Sequence, residues 1–69
     1  MELVINGETQ HFEDQQAATV ASLMTSLELD DARGTAVAHN DAVVPRGRWE
    51  NTELRPGDRI EIIRATQGG

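Results

Sequence analysis

Chemistry in this 69-residue chain points first to its last three residues. Gln67-Gly68-Gly69 ends on a glycine carboxylate that has no Cβ beside it and a second glycine before it. A carboxylate that must enter another protein's narrow channel, and be attacked there, needs that lack of bulk and the free φ/ψ of glycine on the way in. Residues 65–69 carry no large apolar group and are expected to form a flexible tail that supplies reach. A glycine pair is equally what a frayed terminus tolerates, so composition alone leaves both readings open. The other reactive groups are few. There is no Cys, hence no disulfide, thiolate metal site or cysteine nucleophile. All six basic residues are Arg, and the missing Lys removes a phosphate-loop lysine, Schiff-base chemistry and any lysine acceptor on these residues. His11 and His39 stand far apart in sequence without Cys partners, and read as solvated strand histidines rather than zinc ligands, so no metal is expected. Neither GxxxxGK[ST] nor GxGxxG occurs, and no bound cofactor is expected. An enzyme with its own active site is disfavoured.

Composition narrows the partners. Twelve acidic residues against six basic ones give a net charge of −6, which repels phosphate backbones and anionic membranes. Nucleic acid and membrane are therefore not the expected partners. Met1 leads straight into Glu2 and apolar runs are only a few residues long, so neither a signal peptide nor a membrane span is read, and the expected location is the cytoplasm. The length allows one small domain that buries only about 60% of its unfolded surface.

The elements that must position the terminus are legible from turn chemistry. Met1–Ile5 is an apolar-rich run ending in Asn6-Gly7, the dipeptide of a type I′ hairpin. A two-residue turn pairs Ile5 with Glu8, Leu3 with Gln10 and Met1 with Phe12, placing Met1, Leu3, Ile5 and Phe12 on one face. Val4, Thr9 and His11 fall on the other. Residues 13–18 read as a loop. Thr19 caps a short helix reaching Glu28, whose Val20, Leu23, Met24 and Leu27 form one apolar stripe. Leu29–Gly34 reads as a turn, with Asp30 and Asp31 beyond the helix end. Thr35–His39 and Ala42–Val44 are two strands about Asn40-Asp41, and Pro45 stops the pairing. A longer connection follows with Trp49 and Leu54 as its anchors; Trp49 reads as packing. Arg55-Pro56-Gly57-Asp58 fits a type II turn, and Arg59–Arg64 is the last strand, with Ile60 and Ile62 inward and Glu61 and Ile63 outward.

One helix then covers one face of a mixed sheet of four or five strands and leaves the other face open. The first and last strands can lie parallel through a right-handed crossover while both hairpins stay antiparallel. This predicts an α+β fold of the β-grasp type over residues 1–64, with 65–69 as tail.

The chain resembles the ThiS family, the ubiquitin-like sulfur carrier proteins of thiamine biosynthesis. The likeness rests on Asn6-Gly7, the helix from Thr19 to Glu28, Ala36-Val-Ala-His-Asn-Asp-Ala-Val-Val-Pro45-Arg46 with Trp49, and Leu54 to Ala65 running into Gln67-Gly68-Gly69. It departs at Asn40-Asp41, where relatives often carry Asn-Gly. The resemblance implies a carrier rather than a catalyst. A ubiquitin-activating-type adenylyltransferase would adenylate the Gly69 carboxylate with ATP, a sulfur-donating persulfide enzyme would convert it to a thiocarboxylate, and thiazole synthase would take the sulfur. ATP, Mg²⁺ and any zinc would belong to those partners. Partner binding is expected on the open sheet face, where Val4 and Ile63 on adjacent strands would form one apolar patch, and Arg64 would steer the tail or pair with Glu61. Sister readings are a carrier for another pathway, such as the small subunit of molybdopterin synthase, and a ubiquitin-like modifier.

Overall fold

Two turns led by asparagine set up the sheet. In the computed structural model, which describes residues 1–29 and 34–64, Asn6 and Gly7 take φ of 50° and 85° and Asn40 and Asp41 take 49° and 73°. Positive φ at both central residues gives the twist that a two-residue hairpin requires, and Asn and Asp adopt it more readily than other side chains. The first turn joins β1 (Glu2–Ile5) to β2 (Glu8–His11) with Ile5 opposite Glu8 and Leu3 opposite Gln10, as the sequence predicts. The second joins β3 (Thr35–His39) to β4 (Ala42–Val44).

Between the hairpins, Thr19 caps α1 (Val20–Ser26), its hydroxyl accepting the Ser22 amide at 3.1 Å. The helix is shorter than the periodicity suggests. Glu28 takes φ of 61°, its amide donates to Thr25 and the Leu29 amide to Met24, so the backbone closes in a Schellman arrangement with a glutamate where glycine is usual. Residues 13–18 are not a plain loop. Asp14–Gln16 form a 3₁₀ helix, Ala17 is fully buried, and the Ser26 hydroxyl donates to the Gln16 carbonyl at 2.8 Å. The connection after β4 likewise contains a 3₁₀ helix, Arg46–Asn51, starting at Pro45. Its Trp49 is buried and donates its indole N–H to the Val44 carbonyl at 3.0 Å, which satisfies the ring's one polar atom and confirms its packing role.

The last strand, β5 (Arg59–Arg64), enters through the Pro56-Gly57 turn, with Gly57 at φ 86° as a type II turn demands. The five-stranded sheet runs β2-β1-β5-β3-β4, with β1 and β5 parallel and the other neighbours antiparallel. Leu3, Ile5, Val37 and Ile60 point from the sheet into one core with Val20, Leu23 and Met24 of α1, and Phe12, Trp49 and Leu54 close it. The expected α+β architecture with one helix on one face holds. The turn placing Asp30 and Asp31, and the tail carrying Gln67, Gly68 and Gly69, lie outside the described residues.

Candidate functional site

The segment that leads to Gln67-Gly68-Gly69 is β5, so what fixes β5 fixes where the tail departs. At the exit end the clamp is Asn6. Its backbone amide donates to Ile60 O at 2.9 Å, the last backbone bond that β1 makes to β5. Its side chain continues the ladder: Oδ1 accepts the Ile62 amide at 2.8 Å, and Nδ2 lies 3.4 Å from the Ile62 carbonyl. A carboxamide thus stands in for one more strand residue two positions before Arg64. Sequence reasoning assigned Asn6 to the turn alone; its side-chain role requires the parallel β1–β5 pairing, which no local pattern announces.

At the start of β5 a second cluster holds the strand. The Asp58 carboxylate accepts from His39 Nε2 at 2.7 Å, from the Arg55 amide at 2.9 Å and from Asn40 Nδ2 at 3.2 Å. Asn40 Oδ1 accepts the Arg59 amide at 2.8 Å, and Arg59 Nη2 reaches Asp41 at 2.6 Å. Burial pushes the Asp58 carboxyl up, but hydrogen bonds from His39, Arg55 and Asn40 outweigh it and hold the group below the usual aspartate value. His39 is therefore not a solvated strand histidine. The alternation that buries Val37 also turns His39 to the helix side, opposite Ile60, where it meets Asp58 from the neighbouring turn. His11 is exposed on the edge strand, as expected. Among the described residues no three His, Cys, Asp or Glu side chains come together as a metal site.

The open face carries the proposed partner residues, but not as one patch. β1 and β5 are adjacent, yet the register sets Val4 opposite Arg59, four residues from Ile63 and about 13 Å along the strand. Val4 lines an open groove with Asn6, Asp41, Arg59 and Glu61. Ile63 instead lies opposite Ala36, whose same-face neighbour Ala38 lies opposite Val43. Ile63 and Val43 are the large exposed hydrophobics among the described residues, 60% and 75% accessible, with the small Ala36 and Ala38 between them. Val43 was missed because a three-residue edge strand gives little periodicity. Arg64 is exposed, and with Glu61 three positions away the two stand on opposite faces of β5 and do not pair.

Among the described residues, one α-helix on a five-stranded mixed sheet, with the first and last strands parallel at its centre, defines a ubiquitin-like β-grasp protein. Comparisons with known proteins specify it further. A model of the ThiS family matches residues 3–69, and the chain belongs to that family of sulfur carriers. Its fold is similar to the crystal structure of the thiamine biosynthesis protein ThiS from Geobacter metallireducens, with a TM-score of 0.83 and 26% identity over the whole of both chains. The solution structure of that thiamine biosynthesis protein gives 0.81, also at 26% identity, over all of this chain and 88% of the other. A curated protein of Paramagnetospirillum magneticum named thiazole synthase is 36% identical over all 69 residues, and the chain spans about a fifth (20%) of its length. No helix among the described residues is long and apolar enough to cross a membrane.

Proposed function

We propose that the chain carries sulfur as a thiocarboxylate on Gly69 for thiazole formation, as a co-substrate with no active site of its own. The observation that carries this reading is the family match, which extends through residue 69 and so includes the Gln67-Gly68-Gly69 end. A partner adenylyltransferase joins the Gly69 carboxylate to AMP, releasing pyrophosphate from ATP, and so supplies a good leaving group. A persulfide sulfur displaces AMP, and a thiol reductant cleaves the resulting acyl disulfide to leave the C–S⁻ group. Thiazole synthase consumes that sulfur and the carboxylate returns. ATP and its metal ion bind to the partner. Tethering sulfur this way raises its effective concentration and keeps it from diffusing away.

A relative named thiazole synthase that contains a stretch similar to this whole chain supports that acceptor as the partner. On the carrier, the open sheet face carrying Ile63 and Val43 is the proposed docking surface, the groove containing Val4 a second contact, and Arg64 the charge that guides the tail. The test is intact mass after incubation with cell extract, ATP and a sulfur donor. The reading predicts one oxygen replaced by sulfur, and no change in a chain lacking Gly69. An unchanged mass accompanied by a conjugate to another protein would identify a modifier instead.

A further inference from the structure

An activated glycyl carbonyl is an acylating agent, and the nearest nucleophiles to it are those of its own chain. We infer that this chain is built so that its own amines cannot consume the activated end; this rests on the reading that Gly69 is the activated residue. The six basic side chains are all Arg, whose guanidinium stays protonated and does not attack carbonyls, and there is no Lys or Cys among the 69 residues. The amine left is that of Met1. It donates to the Phe12 carbonyl and lies 3.4 Å from Asp14 Oδ1, so it is engaged where β1 meets the end of β2.

Geometry removes it altogether. With Val4 opposite Arg59 in parallel strands, Met1 lies three residues towards one end and Arg64 five towards the other. That is eight strand residues, or about 26 Å. Whatever course residues 65–69 take, five residues span at most about 18 Å. Gly69 therefore cannot reach the Met1 amine of the same molecule. His11, opposite Glu2, is separated by about 23 Å along the strands by the same reckoning. His39, opposite Ile60, is within reach at about 13 Å, but imidazole forms no lasting amide. An acyl-imidazole formed there would hydrolyse back to the acid rather than persist.

The test uses the 69-residue chain carrying a C-terminal thioester at Gly69, at about 10 µM and pH 8, followed by intact mass. Attack by an amine forms a C–N bond at the Gly69 carbonyl and breaks the C–S bond. The thiolate leaves, the ammonium proton goes to solvent, and the product is one water lighter than the free acid. The parent chain should give only the acid. Arg64→Lys and Ala36→Lys each place a primary amine on an exposed position beside the start of the tail, Ala36 being opposite Ile63. A tethered amine at an effective concentration near 1 mM should form the lighter product about 100-fold faster than any amide forms in the parent at 10 µM. The inference is overturned if the parent cyclises at a rate comparable with the lysine variants. It is equally overturned if both lysine variants only hydrolyse, because the missing lysines would then protect nothing. No sulfur-transfer enzyme is present, so this outcome is independent of whether Gly69 receives sulfur.

Discussion

Replacing Asn6 with glycine keeps the turn and removes the clamp on β5. Glycine accepts φ of 50° without strain, so the type I′ hairpin survives, while the carboxamide that bonds Ile62 is gone. Of the two side-chain contacts, the 2.8 Å bond from the Ile62 amide carries nearly all the energy, because the 3.4 Å contact is at the limit of useful geometry. Loss of one partly exposed hydrogen bond is worth about 1 kcal/mol. For a domain of this size that lowers Tm by roughly 4–8 °C. Asn6→Ala should cost about 1–2 kcal/mol more, since alanine also bears the left-handed penalty. Thermal unfolding gives the magnitudes and amide exchange gives the location: core amides such as Val37 and Leu23, which open by global unfolding, should exchange about fivefold faster per 1 kcal/mol lost, and the Ile62 amide, left without its acceptor, faster still. Were Asn6→Gly to melt with the parent and keep Ile62 protected, the backbone pairs of β1 and β5 alone would hold the exit of the strand, and the clamp would be superfluous.

Further consequences concern the helix end, the aspartate cluster and the open face. Glu28→Gly should raise stability by about 0.5–1 kcal/mol, because the left-handed Schellman position suits glycine; urea unfolding would show a higher midpoint at unchanged slope. Asp58 has a folded pKa below its unfolded value of about 3.9, so its stabilisation is fully present above that pH and is lost as pH falls through the folded value. Asp58→Asn should therefore lower stability at pH 7 and flatten the acid limb of the stability profile measured by denaturation from pH 7 to 2. Ile63→Asp should weaken capture by the activating enzyme by tenfold or more while Tm moves by less than about 3 °C, since the side chain is already exposed; a large fall in Tm would mean that Ile63 packs instead of docking.

What the sequence disclosed was local, and what it withheld was long-range. Asn6-Gly7, Asn40-Asp41 and Pro56-Gly57 announce their turns because each requires a backbone conformation that few residues adopt. The stripe of Val20, Leu23 and Met24 shows which side of the helix is covered, and alternation correctly puts Ile60 inside and Ile63 outside. The offset between β1 and β5, by contrast, is set by how far the crossover carries the chain, and nothing near Val4 or Ile63 records it. That offset separates Val4 from Ile63, gives Asn6 its second role and holds the Met1 amine away from the tail. The His39–Asp58 contact is hidden for the same reason, spanning 19 residues between two turns that meet only in the folded sheet.

Fragment-ion mass spectrometry of the C-terminal peptide reads the one functional group that must change, the Gly69 carboxyl. In protein recovered from cells actively making thiazole, a fraction of that peptide should carry sulfur in place of one oxygen. The fragment ions should confine the change to Gly69, and an alkyl halide should add its alkyl group to that sulfur with loss of halide. Sulfur confined to any other residue, or a Gly69 carboxylate that stays unmodified under those conditions, would mean that Gly69 does not carry the sulfur.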